Sequence, residues 1–184
     1  MEPFSRRAFL GVAGLGVASL AAPVSAATAP AASLPSDARI LTLQNMHTHE
    51  VLRVCLERGQ LPGRGMCKQF SHFMRDHYNG RVGPMDPKLI LHLLRLTESL
   101  GVVGSTIKVI SAYRAPSTNK MLREQGKKVA RNSLHLEGKA MDIRMDDVAL
   151  KDLRDAALDL KAGGVGYYRR SNFVHFDTGR IRHW

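Results

Sequence analysis

Apolar residues alternate with polar ones between positions 40 and 57. A period of two is typical of strands with one buried face. The polar segment His-Thr-His-Glu at 47–50 interrupts the pattern and predicts a turn. The alternating apolar positions are Leu41, Leu43, Val51 and Val54. This part of the chain is therefore predicted to form a β-hairpin.

Three later segments place apolar residues at helical spacing. The first runs from Cys67 to Tyr78. The second begins at Asp86-Pro87, because aspartate caps a helix and proline suits its first turn. The third covers 149–162, with Asp147 as a possible cap and Gly163-Gly164 at its end. All three are predicted to pack one face on the core.

Short β-rich stretches lie at 107–113, 140–144, 165–168 and 173–177, the last two joined by a basic turn at 169–172. With the helices they predict an α+β fold, in which helices flank a small antiparallel sheet. The chain has 184 residues, of which 44% are hydrophobic, enough for one ordinary domain with its own core.

The amino terminus resembles a twin-arginine export signal. Ser5-Arg6-Arg7 precedes an apolar run, and Val24-Ser25-Ala26 offers a cleavage site near Ala26. A membrane anchor is the alternative, but the run of about 15 residues is shorter than the roughly 20 that span a bilayer. We expect a signal peptide at 1–26, a flexible lead-in at 27–38, a periplasmic location and no stable membrane insertion after cleavage.

The formal net charge is +11, and loss of residues 1–26 removes Glu2, Arg6 and Arg7, which leaves +10. A strongly basic protein favours an anionic polymer as partner, or simply has a solvated Lys/Arg surface. Export argues against nucleic acid and favours a cell wall whose stem peptides carry carboxylates. The basic segment Ser117–Arg131, interpreted as a helix or helix-rich loop, is expected to border the cleft that binds them.

Cys55 and Cys67 bracket the Gly-rich turn at 59–65. In an oxidising compartment they could form a disulfide, and two free buried thiols are the alternative. Zinc binding is disfavoured, because no second cysteine pair follows with the spacing of a zinc finger. The pair is not expected to take part in the chemistry.

Three residues are candidate metal ligands. His135 and Asp142 stand in one Ser-x-His-x-x-Gly-x-Ala-x-Asp segment, whose small Gly138 and Ala140 allow a tight turn. His175, in the apolar stretch 173–177, could complete the site from a neighbouring strand. Two imidazoles and one carboxylate suit zinc, and three protein ligands leave a position for water, as hydrolytic sites require. An ordinary hydrogen-bonded His-Asp contact is the alternative.

The segment Ser133–Asp142, followed by a strand histidine, resembles the signature of zinc peptidases that cut peptidoglycan peptides, including D-Ala-D-Ala carboxypeptidases and dipeptidases. The resemblance narrows to murein endopeptidases through the segments 110–114, 162–168, 171–175 and 182–184. It covers about Arg39 to Trp184, which is therefore interpreted as the catalytic domain.

The resemblance implies a zinc metallopeptidase that hydrolyses peptide cross-links with a metal-activated water, with stem peptides as substrates and links between diaminopimelate residues favoured. A D,D-carboxypeptidase, a D-Ala-diaminopimelate endopeptidase or a catalytically silent wall-binding protein are the alternatives. Arg114, which follows the strand 107–113, is implied to contact substrate and to polarise the scissile carbonyl. The residues indicate no oligomeric state.

Many members of the family that this chain resembles have Glu or Asp three residues before the second histidine ligand, as the general base, and here that residue is Asn172. Asp177 is the first alternative as general base, because in a strand it shares a face with His175, either to reach the water or to orient the ligand. His183 is second and Glu137 third. Ser133, Tyr113 and Asn172 are the candidate substrate-binding residues.

Overall fold

A computed structural model describes residues 38–184. The predicted signal peptide at 1–26 and all but the last residue of the predicted lead-in lie outside the described residues. The strands are β1 (Ala38–Asn45), β2 (Val51–Glu57), β3 (Thr106–Ser111), β4 (Ala140–Arg144), β5 (Gly164–Tyr168), β6 (Phe173–Asp177) and β7 (Arg182–His183). The helices are α1 (Arg64–Phe73), α2 (Lys88–Ser99), α3 (Pro116–Glu124) and α4 (Leu150–Asp159).

The fold is α+β, as predicted, but the sheet is larger than expected and is mixed. Its seven strands have the order β2-β1-β3-β4-β6-β5-β7. β1 pairs parallel to β3, and β5 pairs parallel to β7. The first parallel pair is possible because β2, α1 and α2 lie between its strands and provide a long crossover. β7 was not predicted, because its two residues are too short to show any period.

The predicted hairpin and the predicted strand at 140–144 are confirmed. β1 and β2 are antiparallel, with Gln44 opposite Val51 across the turn. β4 covers Ala140–Arg144 and pairs antiparallel with β6. β4 and β6 lie side by side in the middle of the sheet, and this pair positions the site.

The helices end and begin at different residues from those predicted. α1 stops at Phe73, and the buried Asp76 then holds a loop by accepting a hydrogen bond from the Tyr78 amide (2.9 Å). Before α2, the Asp86 carboxylate accepts from the amide of Lys88 at 3.0 Å. α4 begins at Leu150, and Asp147 does not cap it.

β4 and β6 each present one face to the hydrophobic core. Met141 and Ile143 of β4 and Val174 and Phe176 of β6 are all within 2% of complete burial and belong to the core cluster. α4 packs on β5 and β6, and α2 packs on β1. Because side chains alternate along a strand, the residues between these apolar positions point to the opposite face. That face carries the polar residues described below.

Both cysteines are free thiols, Cys55 exposed on β2 and Cys67 half-buried on α1. The predicted disulfide is therefore not formed, and the alternative of two buried thiols holds for neither residue. Across residues 38–184 no helix is long and apolar enough to cross a membrane.

Candidate metal centre

His135, Asp142 and His175 converge on one point, and we call them the ligand triad. One potential ligand atom from each lies within 4.8 Å of the other two. His135 Nε2 is 3.3 Å from His175 Nδ1 and 3.4 Å from Asp142 Oδ1, and His175 Nδ1 is 3.0 Å from the same oxygen. All three residues are buried. Within residues 38–184 this is the one such group of three.

The register of the sheet places two members of the triad. Asp142 of β4 lies directly opposite His175 of β6 in the antiparallel ladder. Directly opposite residues in such a ladder point to the same face and lie close together. Both alternate with core residues along their strands. Their side chains therefore lie on the face of the sheet opposite to the hydrophobic core.

The third member, His135, comes from the loop between α3 and β4. Its backbone carbonyl accepts a hydrogen bond from the Arg114 amide at 3.1 Å. Gly138 adopts a φ of +65°, and a Cβ there would overlap the carbonyl of Pro84. The Gly138 carbonyl in turn accepts from the Asp86 amide at 2.9 Å. Glycine is thus required for the loop to pass this close to its neighbour and to deliver His135.

The hydrogen bonds behind each imidazole determine its tautomer. Nδ1 of His135 lies 2.7 Å from the carbonyl oxygen of Ala112, which can only accept, so this nitrogen carries the hydrogen. Nε2 of His175 lies 3.1 Å from Oδ2 of Asp177 and donates to it in the same way. The neutral rings therefore direct bare lone pairs towards each other.

With both rings neutral, the triad has three electron-pair donors facing one another without a hydrogen between them, an arrangement that fits a bound cation. Burial opposes ionisation of Asp142, but the imidazoles of the triad outweigh it and hold the pKa of this carboxyl well below its usual range. Burial likewise disfavours a charged His175, yet its hydrogen bonds to Asp142 and Asp177 raise the pKa of this imidazole. A metal would displace the proton that the triad otherwise attracts.

Asp177 supports His175 from behind. Its side chain is fully buried (0% exposed), and its Oδ1 accepts from the amides of Gly164 and Gly179, both at 2.8 Å. Arg182 forms an ion pair with Oδ2 at 2.7 Å. Although burial opposes it, hydrogen bonds from His175, Arg182 and the two amides lower the pKa of Asp177 to about 2. Asp177 is thus a permanently ionised carboxylate held by donors on both oxygens.

Arg114 directly follows the Ser111–Ala112–Tyr113 stretch at the end of β3 and is 9% exposed. Its Nη1 donates to Asn119 Oδ1 at 3.3 Å, and Nη2 lies 3.5 Å from the Ser111 hydroxyl. Burial lowers the pKa of its guanidinium, and the charges of Asp142 and Asp76 oppose that shift. The next residue, Ala115, donates its amide to Asp76 Oδ2 at 2.8 Å. A buried carboxylate thus fixes the backbone that carries Arg114.

The triad lies in a cavity of about 240 Å³, which we call the cleft. Apart from the triad it is lined by cations, aromatic rings and the loop before His135. These residues are Arg114, Lys128, Val129, Ala130, Asn132, Ser133, Leu134, Tyr168, Phe173, Arg182 and Trp184. Among the residues of 38–184 that line it, Asp142 is the one carboxylate. The cleft therefore suits a substrate that carries negative charge.

Trp184 forms one wall of the cleft. Its ring centroid is 5.2 Å from that of His175, and the Arg182 guanidinium lies 4.9 Å above it. The indole N–H donates to the hydroxyl of Tyr168 at 2.9 Å. Because an indole nitrogen only donates, the Tyr168 oxygen is the acceptor, and its own hydrogen is available to another partner.

The other predicted site residues lie at different distances from the cleft. Ser133 lines it, with its hydroxyl 3.4 Å from the amide of His135. Tyr113 is half-buried, packs against the core and lies against Gly83. Asn172 is exposed in a left-handed conformation with φ of 53°. Within the described residues, neither Tyr113 nor Asn172 is part of the cleft lining.

The candidate general bases do not share the cleft with the triad. Asp177 lies behind His175, and Glu137 is exposed and paired with Lys139 at 2.8 Å. His183 lines a separate recess with Arg154 and Tyr167. Side chains alternate along β7, so Arg182 lines the cleft and His183 does not, whereas Trp184, which follows β7, borders both the cleft and the recess.

Sequence reasoning missed Asp76, Tyr168 and Lys128 as residues of the site. Tyr168 belongs to a segment that carried the resemblance, and its position at the end of a strand was a usable signal. Asp76 precedes its partner Ala115 by 39 residues, and nothing in the local pattern connects the two. The segment of Lys128 was expected at the cleft, but no single residue in it was identified.

Comparison with known proteins supports the resemblance seen in the sequence. Residues 33–184 match the family model Peptidase_M15_2, described as peptidoglycan L,D-endopeptidase MepK. The peptidoglycan L,D-endopeptidase MepK of Escherichia coli K12 is 43% identical over 150 residues, which are 79% of this chain and 80% of that protein. The probable peptidoglycan L,D-endopeptidase MepK of Haemophilus influenzae is 43% identical over 148 residues, 79% of this chain and 78% of its own. The narrower resemblance to murein endopeptidases is confirmed.

Proposed function

This chain belongs to the Peptidase_M15_2 family of peptidoglycan L,D-endopeptidases, and from that membership we propose that it hydrolyses peptide cross-links of peptidoglycan. The observation that carries the proposal is the convergence of three electron-pair donors in the ligand triad, at the bottom of an open cleft. The relatives named above act on peptidoglycan according to their names, and this chain aligns with about four fifths of their length.

The metal that we propose for the triad is zinc. Two imidazoles and a carboxylate are ligands that zinc accepts, and three protein ligands leave a position open, as in catalytic sites. Bound there, zinc would lower the pKa of a water molecule to about 7 and polarise the peptide carbonyl. His135 and His175 would hold it through the nitrogens whose lone pairs their tautomers leave free.

We assign Arg114 to the scissile carbonyl. Its guanidinium is buried at the cleft wall, and its backbone is held by His135 on one side and by Asp76, through Ala115, on the other. A fixed cation in a partly water-excluded site stabilises negative charge that develops on the carbonyl oxygen. Arg114 therefore acts in the transition state more than in substrate binding.

Of the two roles expected for Asp177, the orienting role fits its surroundings. Both of its oxygens already accept hydrogen bonds, and the ring of His175 separates it from the cleft. We propose that Asp177 holds the tautomer and the orientation of His175. Ser133, at the cleft wall, is proposed to bind the substrate backbone.

The finer assignments are proposals as well. We propose that the bond cleaved joins two diaminopimelate residues. The alternatives are the activities of a D,D-carboxypeptidase and of a D-Ala-diaminopimelate endopeptidase, which would use the same metal ligands. Residues 1–26 are proposed to direct export by the twin-arginine route, with cleavage near Ala26 and a periplasmic catalytic domain at 39–184.

Mass spectrometry of digested sacculi tests the proposal directly. Purified protein that begins at residue 27 is incubated with sacculi, with zinc or with a chelator. We expect new muropeptides with zinc alone, and their masses identify the bond that is cut. Binding to sacculi without any new product in the presence of zinc would instead indicate a non-catalytic wall-binding protein.

A further inference from the structure

Helix α3 and the loop after it carry a dense group of cations that begins at the wall of the cleft and extends away from it. Between residues 120 and 131 there is one carboxylate, that of Glu124, against five positive side chains. All five are exposed. We call them the α3 patch: Lys120, Arg123, Lys127, Lys128 and Arg131.

The charges of the patch are largely uncompensated. Lys120 lies 3.8 Å from Glu124, and both are well exposed, at 77% and 65%, so this pair contributes little. Within residues 38–184 the other four members form no ion pair, whereas Lys139, Lys151 and Arg154 each pair with a carboxylate. Arg123 complements the carboxyl end of α3. The fold offers no such reason for the others.

The patch continues directly from the cleft. Lys128 and Ala130 line the cleft, whereas Arg131 lines a neighbouring recess with Lys120 and Arg123. The chain between 128 and 131 is thus a shared wall with the cleft on one side and the recess on the other. An extended polymer held at the triad would pass this wall.

Asn119 connects the patch to the catalytic side of the cleft. Its Nδ2 donates to the Ala130 carbonyl at 3.2 Å, and its Oδ1 accepts from Arg114 at 3.3 Å. Asn119 is 4% exposed, so both bonds are shielded from water. The position of the patch relative to Arg114 is therefore fixed by a buried side chain.

We propose that the α3 patch binds the free carboxylates of a stem peptide next to the cross-link that is being cut. This inference rests on the proposed function, because peptidoglycan is the ligand of the patch only if peptidoglycan is the substrate in the cleft. Lysine and arginine side chains suit scattered carboxylates. An anionic membrane surface is disfavoured, because among residues 38–184 no large exposed apolar side chain lies between 116 and 131. The patch therefore serves capture of the wall, separately from cleavage.

The test compares two triple variants of the protein that begins at residue 27. The first is Lys120→Gln, Arg123→Gln and Arg131→Gln, which spares Lys128 because it lines the cleft. The matched control is Arg53→Gln, Arg58→Gln and Arg64→Gln, which removes the same charge beside β2 at the far edge of the sheet. Binding is measured by co-sedimentation with sacculi on ice at low and at physiological salt. Turnover is measured on a soluble cross-linked muropeptide.

We expect the α3 variant to lose about tenfold in affinity for sacculi at low salt, with a weaker salt dependence, because exposed charges are screened over about 8 Å at physiological ionic strength. Its turnover of soluble muropeptide should stay within about twofold of the wild type, and the control should bind normally. The proposal would be overturned if both variants lost the same affinity for sacculi, or if the α3 variant lost turnover of the soluble muropeptide. The proposal would also be overturned if the α3 variant bound sacculi as tightly as the wild type, whether or not it lost binding to vesicles of phosphatidylglycerol. If the unaltered protein binds sacculi but does not cut the muropeptide, the proposed function fails while the binding comparison still decides the patch.

Discussion

The carboxylate of Asp177 lies directly behind His175, with Oδ2 3.1 Å from Nε2 of the imidazole. In Asp177→Asn the amide oxygen can still accept from Gly164 and Gly179, which turns the NH₂ group towards His175. That group donates where the carboxylate accepted, so the ring must move its hydrogen to the nitrogen that faces the triad. We expect zinc affinity to fall by about 10–100-fold, measured by competition with a chromogenic chelator.

Asp155→Asn is the control for this substitution, because it makes the same change from carboxylate to amide on α4, away from the triad. Its zinc affinity should equal that of the wild type. His183→Gln should also leave the rate of muropeptide cleavage within about twofold, because its side chain faces away from the cleft. Undiminished zinc affinity in Asp177→Asn would refute the orienting role.

Removal of the metal or of a ligand should abolish cleavage. A chelator is expected to stop muropeptide turnover, and added zinc should restore it. His135→Ala should lose both bound zinc, measured by atomic emission, and turnover, because two protein ligands remain. Retention of turnover by a folded, zinc-free His135→Ala protein would contradict the proposed mechanism.

Arg114→Ala should reduce kcat more than it changes KM. Loss of one fixed donor to a developing oxyanion typically lowers kcat by about 10²–10³-fold. Arg114→Lys keeps the charge but loses the planar fork that contacts Asn119, so we expect partial activity. The measurement is steady-state cleavage of a soluble muropeptide, with circular dichroism as the check of folding. A change confined to KM would move Arg114 from transition-state stabilisation to substrate binding.

Gly138→Ala should destabilise the protein more than Gly126→Ala. Both glycines have positive φ, +65° and +73°, so both substitutions strain the backbone, by about 1–2 kcal/mol. At Gly126 the added methyl group meets nothing, whereas at Gly138 it overlaps the Pro84 carbonyl. We expect a loss of about 4 kcal/mol or more for Gly138→Ala in urea denaturation. Equal losses in the two variants would show that the loop can shift away from Pro84.

Stability should fall between neutral and mildly acidic pH through His77. Burial lowers the pKa of this imidazole from 6.5 to about 4, with a further contribution from the stacked ring of His47, 3.6 Å away. The unfolded chain therefore binds this proton more tightly than the folded protein. The stability that neutral His77 contributes is complete above pH 6.5 and is lost as the pH falls towards 4.

The measurement is the thermal midpoint of metal-free protein at several pH values. His77→Phe keeps a ring for stacking and removes the titration, so its midpoint should fall less between neutral pH and pH 5 than that of the wild type. His183→Gln removes an exposed histidine and should follow the wild type. Parallel pH profiles for His77→Phe and the wild type would exclude His77 as the cause.

The parts of the fold that could be predicted from the sequence are those with local periodicity. The hairpin, the strand at 140–144 and the apolar faces of the helices follow from spacing within about ten residues. The mixed sheet could not be predicted, because the parallel partner of β1 is β3, separated from it by two helices and a strand. Parallel pairing depends on where a long crossover returns, which no local pattern encodes.

The same limit applies to the site. The residues of the ligand triad could be named, since two share a motif and the third alternates with core residues on a strand. The hydrogen bond that sets each tautomer could be foreseen only for His175, whose partner lies two residues away. The partner of His135 is the carbonyl of Ala112, 23 residues earlier. The direction in which the His183 side chain points depends on β7, and this strand is too short to be detected from the sequence.

The ion pair between Asp177 and Arg182 has a consequence for biosynthesis. A nascent chain that has emerged up to Asp142 offers two of the three ligands, and one that ends at Asp177 has the third without the cation that balances the buried carboxylate behind it. A metal bound to the triad would therefore have its final surroundings only once residue 182 has joined the fold, because Arg182 supplies the charge that balances the carboxylate behind His175.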